Sequence, residues 1–336
     1  MDFGITVLPD PPARRFVELV QAAEQAGFTY GWTYDSHILW QEGYVFLTMG
    51  VQATSVMRFG HCVTNPAIRD PTVTASAYAT LQQVSGGRMI LGIGRGDSSR
   101  RVTGLKPVPV DEFERRLRMI KGLMNGREVD WNDKRLQLEW VEEGTPEIPM
   151  AVAAYGPRVL GVAGRVGDAL IIQLADVEIT TWLIEQARAA ATAEGRDPDA
   201  IRPIVCAPAV LERDLAVARD QVRWFPAMVS NHVKTLIARH GEGGGIPRAL
   251  TDYVRAIETY DYAEHSRMGA DHGKYISDEI CDRFCFLGEA EDHQRKIAAL
   301  QAVGVDQVNL YLMTADMDGT LARYGRDVIP AFAAGA

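Results

Sequence analysis

Polar and charged side chains that could do chemistry recur where β-rich runs of the sequence end. Asp35 follows one such run, Thr64 and Asn65 follow the next, and Asp97 follows the one after. Hydroxyl and amide groups in such positions can hold the polar edge of a ligand. A carboxylate whose pKa is raised by burial can transfer a proton at neutral pH. These residues are therefore candidates for an active site.

Several familiar catalytic sites are excluded by what the sequence lacks. None of its six lysines ends a β-rich run, which argues against a Schiff-base aldolase. The motifs of metallohydrolases and serine hydrolases, H-E-x-x-H and G-x-S-x-G, do not occur. The four cysteines lack C-x-x-C spacing, and no metal site is predicted. A glycosidase would need two facing carboxylates, a role open in principle to Asp35 and Asp97, but the glycine-rich surroundings of Asp97 suit a planar ring or a phosphate better.

Short β-rich runs alternate with helical stretches along the whole chain, which is typical of a parallel α/β fold. The predicted strands are Phe3–Leu8, Thr29–Tyr34, Arg58–Val63, Arg88–Ile93, Pro149–Ala153, Asp168–Gln173, Ile204–Leu211 and Gln307–Leu312. Eight strands with seven or more crossovers predict an α/β fold of the (β/α)8 TIM-barrel type, as a single domain over residues 1–336. Two excursions are expected, at about residues 126–147, with a strand at Lys134–Trp140, and at about 240–280. The active site of such a barrel lies at the carboxyl ends of its strands.

The glycine-rich run Leu91–Gly96 has two possible interpretations. It departs from the dinucleotide-binding pattern G-x-G-x-x-G, because its third glycine comes one residue early and the next predicted helix starts about fifteen residues later. These glycines either relieve crowding at the barrel rim or let the backbone approach a flat cofactor.

The charge balance and hydropathy limit the partners of the protein. A net charge of -9 argues against binding to nucleic acid, which needs a basic face. No apolar run approaches the roughly 18–20 residues of a membrane span, and the N-terminus does not resemble a signal peptide. We therefore predict a cytoplasmic protein that acts on a small-molecule substrate and binds neither nucleic acid nor membrane.

Three segments together resemble the luciferase-like superfamily, in particular its branch that uses the 8-hydroxy-5-deazaflavin coenzyme F-420. They are Ala22–Phe28 with Gly31–Asp35, Val63–Pro71, and Thr80–Arg88 with Leu91–Asp97. They are similar to the family patterns A-E-x-A-G-F followed by W and D-H, V-T-N-P-x-x-R-H-P, and T-L-D-x-L-S-G-G-R followed by L-G-x-G-x-G-D. The similarity covers nearly the whole chain outside the two excursions, and the combination of segments is specific.

The resemblance implies a cofactor site on three loops at the barrel mouth. A non-prolyl cis peptide at Cys62–Val63 would back the cofactor ring, and backbone amides after the fifth strand would bind its phosphate. The implied cofactor contacts are Cys62, Val63, Thr64, Asn65, Gly94, Gly96, Ala154, Gly156 and Pro157.

The resemblance also implies catalytic and substrate-binding residues. Asp35 matches an active-site aspartate of the family, Asp97 a carboxylate thought to handle a proton, and Trp40 an aromatic residue of the substrate pocket. Relatives often have histidine directly after the aspartate, whereas here Ser36 intervenes and the histidine is His37. His37 is then either a proton relay or a polar residue of the rim.

The implied function is an oxidoreductase, acting as a homodimer, that transfers a hydride between coenzyme F-420 and a small organic substrate. Arg95 and Arg100 could meet an anionic substrate or the acidic tail of the deazaflavin, or could be solvated loop charges. Two alternatives stay open. One is an FMN-dependent monooxygenase that uses molecular oxygen and a partner reductase, and the other is a non-catalytic flavin-binding protein.

Overall fold

Eight parallel strands form a barrel in the computed structural model, which describes residues 1–10, 12–229 and 276–333. The barrel strands are β1 (Asp2–Thr6), β2 (Tyr30–Thr33), β3 (Arg58–His61), β4 (Leu91–Ile93), β7 (Met150–Ala153), β8 (Ala169–Ile172), β9 (Arg202–Leu211) and β11 (Gln307–Tyr311). They pair in the order β3-β2-β1-β11-β9-β8-β7-β4. Bridges from Phe59 to Met89 and from Thr64 to Ile93 join the two end strands. The predicted (β/α)8 TIM barrel is therefore confirmed.

The helices of the described residues surround this barrel. They include α1 (Ala13–Gln25), α2 (Gly43–Ala53), α3 (Pro71–Ser85), α4 (Ser98–Arg101), α5 (Val110–Met124), α6 (Pro157–Val166), α7 (Val177–Ala193), α8 (Leu215–Val222), α9 (Asp278–Phe284), α10 (Ala290–Ala302) and α11 (Met317–Arg323). Across the described ranges, none of them combines the length and hydropathy that a bilayer crossing requires.

Local sequence explains where helix α3 begins and ends. The Asp70 side chain accepts a hydrogen bond from the amide of Thr72, and Pro71 occupies the first turn, where its missing N–H costs nothing. Gly86 then ends the helix in the left-handed conformation, with a φ of 66°. These signals fix the path of the chain between the loop after β3 and the start of β4.

The core lies inside the barrel and between the barrel and its helices. A parallel strand covered on both faces is apolar throughout rather than alternating. Strand β8 shows this pattern, since Leu170, Ile171 and Ile172 are all fully buried. Because both faces of the strands are packed, polar groups can face a ligand at the strand ends.

The first excursion differs from its prediction. Residues Val129–Trp131 (β5) and Lys134–Leu136 (β6) form an antiparallel hairpin, so the predicted strand Lys134–Trp140 is wrong beyond Leu136. The turn residues Asn132 and Asp133 have positive φ values of 48° and 60°. Two positive φ values define the turn that matches the twist of a two-residue hairpin, and Asn and Asp tolerate them well.

A further strand, β10 (Phe286–Gly288), pairs with the end of β9 and was not predicted. Three residues are too few to give a periodic pattern, so the sequence offered little signal for it. Of the excursion expected at about 240–280, residues 240–275 lie outside the described residues. A single domain over residues 1–336 stays a prediction.

Candidate active site

A cavity of about 680 Å³ opens at the carboxyl ends of the barrel strands. Much of its wall is made by residues that closely follow β2, β3, β4, β7 and β8, including Tyr34, Ser36, Cys62, Val63, Thr64, Gly94, Arg95, Gly96, Asp97, Ala154, Tyr155, Gly156, Pro157 and Gln173. Barrel enzymes place their active sites at this end, and the volume is that of a pocket for a small molecule or cofactor.

The turn after β3 forms one side of the cavity. Its Cys62–Val63 peptide bond is cis, as the resemblance implied. The amide of Thr64 donates to the carbonyl of Gly92 at 3.0 Å, and the amide of Gly94 donates to the carbonyl of Thr64 at 2.8 Å. The backbone of the turn is therefore tied to the neighbouring strand on both sides of the residue that meets the cavity.

The glycines after β4 allow their loop to pack against that turn. A Cβ on Gly94 would lie 3.0 Å from Val63 Cγ2, and a Cβ on Gly96 would lie 2.8 Å from Asn65 Cγ. Gly96 also has a φ of 79°, a conformation that other residues rarely adopt. Both glycines line the cavity as well. Their close packing supports the interpretation that these glycines relieve crowding at the barrel rim. Because they also line the cavity, their backbone can face a ligand.

Asp35 lies behind the cavity wall, where its side chain is fully buried. Its Oδ2 accepts hydrogen bonds from Thr64 Oγ1 at 2.6 Å and from Arg69 Nη1 at 2.8 Å. Arg69 also pairs with Glu42 and lies over the ring of Tyr44, 4.4 Å from its centroid. Burial, the largest effect, lowers the pKa of Arg69, but Asp35, Tyr44 and Glu42 together outweigh it and the pKa is raised. Asp35 thus touches Thr64 and Arg69 rather than the cavity.

A fully buried histidine, His61, lies beside this cluster. Its Nδ1 is 2.8 Å from the hydroxyl of Tyr78, and its ring centroid is 4.5 Å from that of Tyr44. Burial lowers the pKa of His61 to about 4, so its imidazole is neutral at physiological pH. His61 is not among the described wall residues and packs as a neutral hydrogen-bonding group.

The loop after β7 presents a helix N-terminus to the cavity. Gly156 is the N-cap of α6 and Pro157 its first residue, and no described side chain caps this end. Unpaired amides at a helix N-terminus bind anions. The next residue, Arg158, pairs with Asp111 at 2.8 Å, and Lys106 also lines the cavity. This edge of the cavity combines backbone donors with basic side chains.

Asp97 lies in the wall after β4, where its carboxylate forms an ion pair with Arg101. A quarter of its side chain is exposed. Arg95, also in the wall, donates from Nε to the carbonyl of Val108 at 2.6 Å. Arg100 is not among the described wall residues and donates to backbone carbonyls of neighbouring loops.

Most of the predicted cofactor contacts meet in the wall: Cys62, Val63, Thr64, Gly94, Gly96, Ala154, Gly156 and Pro157. Asn65 lies directly behind it, where its Nδ2 donates to Ser99 Oγ at 2.9 Å and its Oδ1 accepts from the amides of Ala67 and Ile68. Trp40 is buried outside the described wall. In the described part of the chain, no group of His, Cys, Asp and Glu residues could hold a metal ion.

Ser36, and not His37, faces the cavity. Ser36 is buried in the wall with its Oγ 3.4 Å from Ser98 Oγ, and Ser98 is a wall residue too. His37 is exposed and does not belong to the described wall. The one-residue displacement relative to the family pattern therefore turns the histidine away, and this geometry does not support a proton relay through His37.

Two polar wall residues, Tyr155 and Gln173, were missing from the predicted site. The Tyr155 hydroxyl donates to Gln173 Oε1 at 2.6 Å, and Gln173 Nε2 donates to the Tyr311 hydroxyl at 2.5 Å. Burial raises the pKa of both tyrosines, so this chain of hydrogen bonds is uncharged. The signal that could have found them is their position, since each ends or follows a barrel strand.

Comparison with known proteins agrees with this geometry. The sequence matches the model of the luciferase-like monooxygenase family over residues 1–307. It is 28% identical over 313 residues to 5,10-methylenetetrahydromethanopterin reductase of Methanolobus tindarius, covering 92% of this chain and 93% of the relative. It is 31% identical over 289 residues to the F-420-dependent hydroxymycolic acid dehydrogenase of Mycobacterium tuberculosis, covering 75% of this chain and 78% of the relative.

The fold is also similar to that of a solved structure. The coenzyme F-420 dependent tetrahydromethanopterin reductase from Methanopyrus kandleri superposes with a TM-score of 0.76 at 23% identity. The match covers 98% of this chain and 99% of that chain. At this level of identity the likeness concerns the fold alone.

Proposed function

Because the chain belongs to the luciferase-like monooxygenase family, we propose that it is an oxidoreductase that transfers a hydride between coenzyme F-420 and a small organic substrate. The observation that carries the proposal is the cavity at the barrel mouth, whose wall contains eight of the nine implied cofactor contacts. The names of the relatives support it, since one is an F-420-dependent dehydrogenase and another a reductase.

The residues present fit a planar ring. When bound, the deazaflavin supplies the hydride chemistry, and the protein positions and shields it. The side chain of Val63 and the backbone of Gly94 and Gly96 form a narrow part of the wall, because the two loops approach more closely than a Cβ on Gly96 would allow. Thr64 offers a hydroxyl beside them. We propose that these residues, with Cys62, contact the ring, while Asn65 holds the turn from behind.

The opposite edge of the cavity fits the anionic end of the cofactor. At the N-terminus of α6, Pro157 has no N–H, so the amides of Gly156 and Arg158 are the backbone donors, and the side chains of Arg158 and Lys106 add positive charge. Backbone amides and basic side chains together are the usual phosphate-binding set. We propose that this edge, together with Ala154, holds the phosphate.

The described wall contains two carboxylates that could exchange a proton with a substrate, Asp97 and Asp111. Asp111 lies at the rim, where its side chain is 91% exposed and pairs with Arg158. Asp97 directly follows the glycine loop, so we retain it as the group that exchanges a proton with a bound substrate. Asp35 lies one layer deeper, beyond Thr64, and its proposed role is to position Thr64.

Binding of the two candidate cofactors tests this proposal. We expect the purified protein to bind coenzyme F-420 with a micromolar or lower Kd, measured from the coenzyme fluorescence, and to bind FMN much more weakly. Arg158→Gln should weaken F-420 binding several-fold and leave unchanged the binding of the riboflavin-level deazaflavin, which lacks the phosphate. Micromolar FMN affinity with no deazaflavin binding would instead favour the monooxygenase.

We also propose that the protein is a homodimer joined through α2 and α3. These helices pack side by side, and neither contains a single charged residue, whereas α5 is rich in charge. Their outer surface exposes Val45 and Val73 by more than half. An uncharged pair of surface helices is typical of an interface between subunits. A cytoplasmic location stays a prediction from the sequence.

A further inference from the structure

We propose that Arg69 is a positioning residue that, through Asp35, makes the Thr64 hydroxyl a hydrogen-bond acceptor toward the cavity. A ring N–H of the bound cofactor would then be the group that Thr64 recognises. The inference rests on the proposed function, because it states which partner donates and which accepts in one hydrogen bond of the cofactor site.

The hydroxyl is the side-chain polar group that Thr64 can offer to a ligand. Its amide donates to the carbonyl of Gly92 and its carbonyl accepts from the amide of Gly94, so the backbone is already paired. A hydroxyl has one proton and two lone pairs. The hydroxyl donates its proton in a short, charge-assisted hydrogen bond to Asp35 Oδ2, at 2.6 Å. The remaining lone pairs can only accept.

Arg69 keeps Asp35 in the state that this arrangement needs. A buried carboxylate without a cation is strongly disfavoured, and Arg69 Nη1 supplies the cation at 2.8 Å on the same oxygen that accepts from Thr64. Arg69 is in turn held by both carboxylate oxygens of Glu42 and by the ring of Tyr44. These contacts hold the guanidinium in place, and the guanidinium in turn holds the carboxylate of Asp35.

The neighbouring titratable groups do not substitute for Arg69. Burial raises the pKa of Tyr44 and lowers the pKa of His61 to about 4, so both are neutral at physiological pH. Tyr78, which lies against His61, also has its pKa raised by burial. Arg69 is the cation that contacts Asp35 among the described residues.

The fixed polarity selects among the polar edges of a flavin or deazaflavin ring. Such rings carry carbonyl oxygens, which only accept, and ring N–H groups, which donate. A carbonyl placed against Thr64 would face a second acceptor and lose its hydrogen bond to water without replacement. An N–H placed there would be satisfied. Thr64 and Arg69 therefore help to set which way round the ring lies.

Cofactor titrations of matched variants test the inference. Thr64→Val removes the acceptor at constant shape and should raise the Kd for coenzyme F-420 about tenfold, whereas Thr64→Ser should stay within about twofold of the wild type. Arg69→Met should weaken binding to a similar degree. In the double variant the two losses should not add, because both act through one hydroxyl.

The outcomes separate this inference from the proposed function. Wild-type protein that binds no F-420 would contradict the proposed function. Binding by wild type that Thr64→Val leaves unchanged, or losses that add in the double variant, would overturn the role of Arg69. Melting curves by circular dichroism show which variants fold, and Arg69→Gln, which also removes the charge, replaces Arg69→Met if the latter does not fold. Neutron diffraction reads the polarity without cofactor: a deuteron on Thr64 Oγ1 directed at Asp35 is expected, and one directed into the cavity would overturn the inference.

Discussion

Replacing Gly96 with alanine tests how tightly the glycine loop fits the turn after β3. At a φ of 79°, a residue with a Cβ is disfavoured by about 1–2 kcal/mol. The new methyl group would lie 2.8 Å from Asn65 Cγ and 2.7 Å from Arg100 Cδ. Asn65 cannot withdraw freely, because its side chain is bonded to Ser99 and to the amide of Ala67.

The magnitude follows from these two contributions. Overpacking of this kind costs about 1–3 kcal/mol, so Gly96→Ala should lower the free energy of unfolding by about 2–5 kcal/mol in total. Gly104 provides a matched control, since its φ is 78° and a Cβ on it would meet nothing within 4 Å. Gly104→Ala should therefore show the backbone strain alone, about 1–2 kcal/mol.

Urea denaturation followed by circular dichroism measures both losses, and titration with coenzyme F-420 measures the effect on the cavity. We expect Gly96→Ala to be the less stable variant and to lose cofactor affinity, while Gly104→Ala keeps it. Equal losses of stability in the two variants, with equal affinity, would refute the argument that Asn65 and the β3 turn limit the space at Gly96.

Three further predictions concern other parts of the molecule. His37→Ala should leave activity within about twofold of wild type, whereas Ser36→Ala, which alters the wall, should lower kcat/KM. Steady-state kinetics with an identified substrate measures both effects, and a larger loss in His37→Ala would show that His37 is the proton relay. Burial lowers the pKa of His61 to about 4 from an unfolded value of about 6.5, so His61 should remove up to about 3 kcal/mol of stability as pH drops from about 6.5 toward 4. Because burial also lowers the pKa of His293 to about 4, His61→Gln should remove only part of the fall in urea titrations at several pH values. Val45→Glu or Val73→Glu should convert the proposed dimer to a monomer in light-scattering measurements, and an unchanged mass in both variants would place the interface elsewhere.

The sequence predicted the barrel because its information is local and repeated. Each strand is a short apolar run bounded by polar or glycine residues, and eight such runs alternate with helical stretches. The carboxyl-end rule then placed Thr64, Gly94 and Gly156 at one mouth, where the structure has them in a common wall. The hairpin at β5 and β6 was misread because its turn depends on the backbone conformation of Asn132 and Asp133.

The parts of the site that the sequence did not predict depend on side-chain direction and depth. Asp35 and Ser36 are neighbours, yet one is buried behind the wall and the other faces the cavity. A shift of one residue decides which side chain enters a site. Beyond the end of a strand, the alternation of apolar and polar residues no longer indicates which way a side chain points. Arg69 was visible in the family-like segment, but its pairing with Asp35 joins residues 34 positions apart.

Anaerobic hydride transfer from reduced coenzyme F-420 tests the central claim most directly. With the protein and a panel of small carbonyl and imine compounds, we expect the absorbance of oxidised coenzyme to appear without oxygen, at a rate that falls in Arg158→Gln and in Thr64→Val. Reduced FMN should support no such reaction. Turnover that requires oxygen and reduced FMN, with no reoxidation of coenzyme F-420 under any of these conditions, would contradict the account.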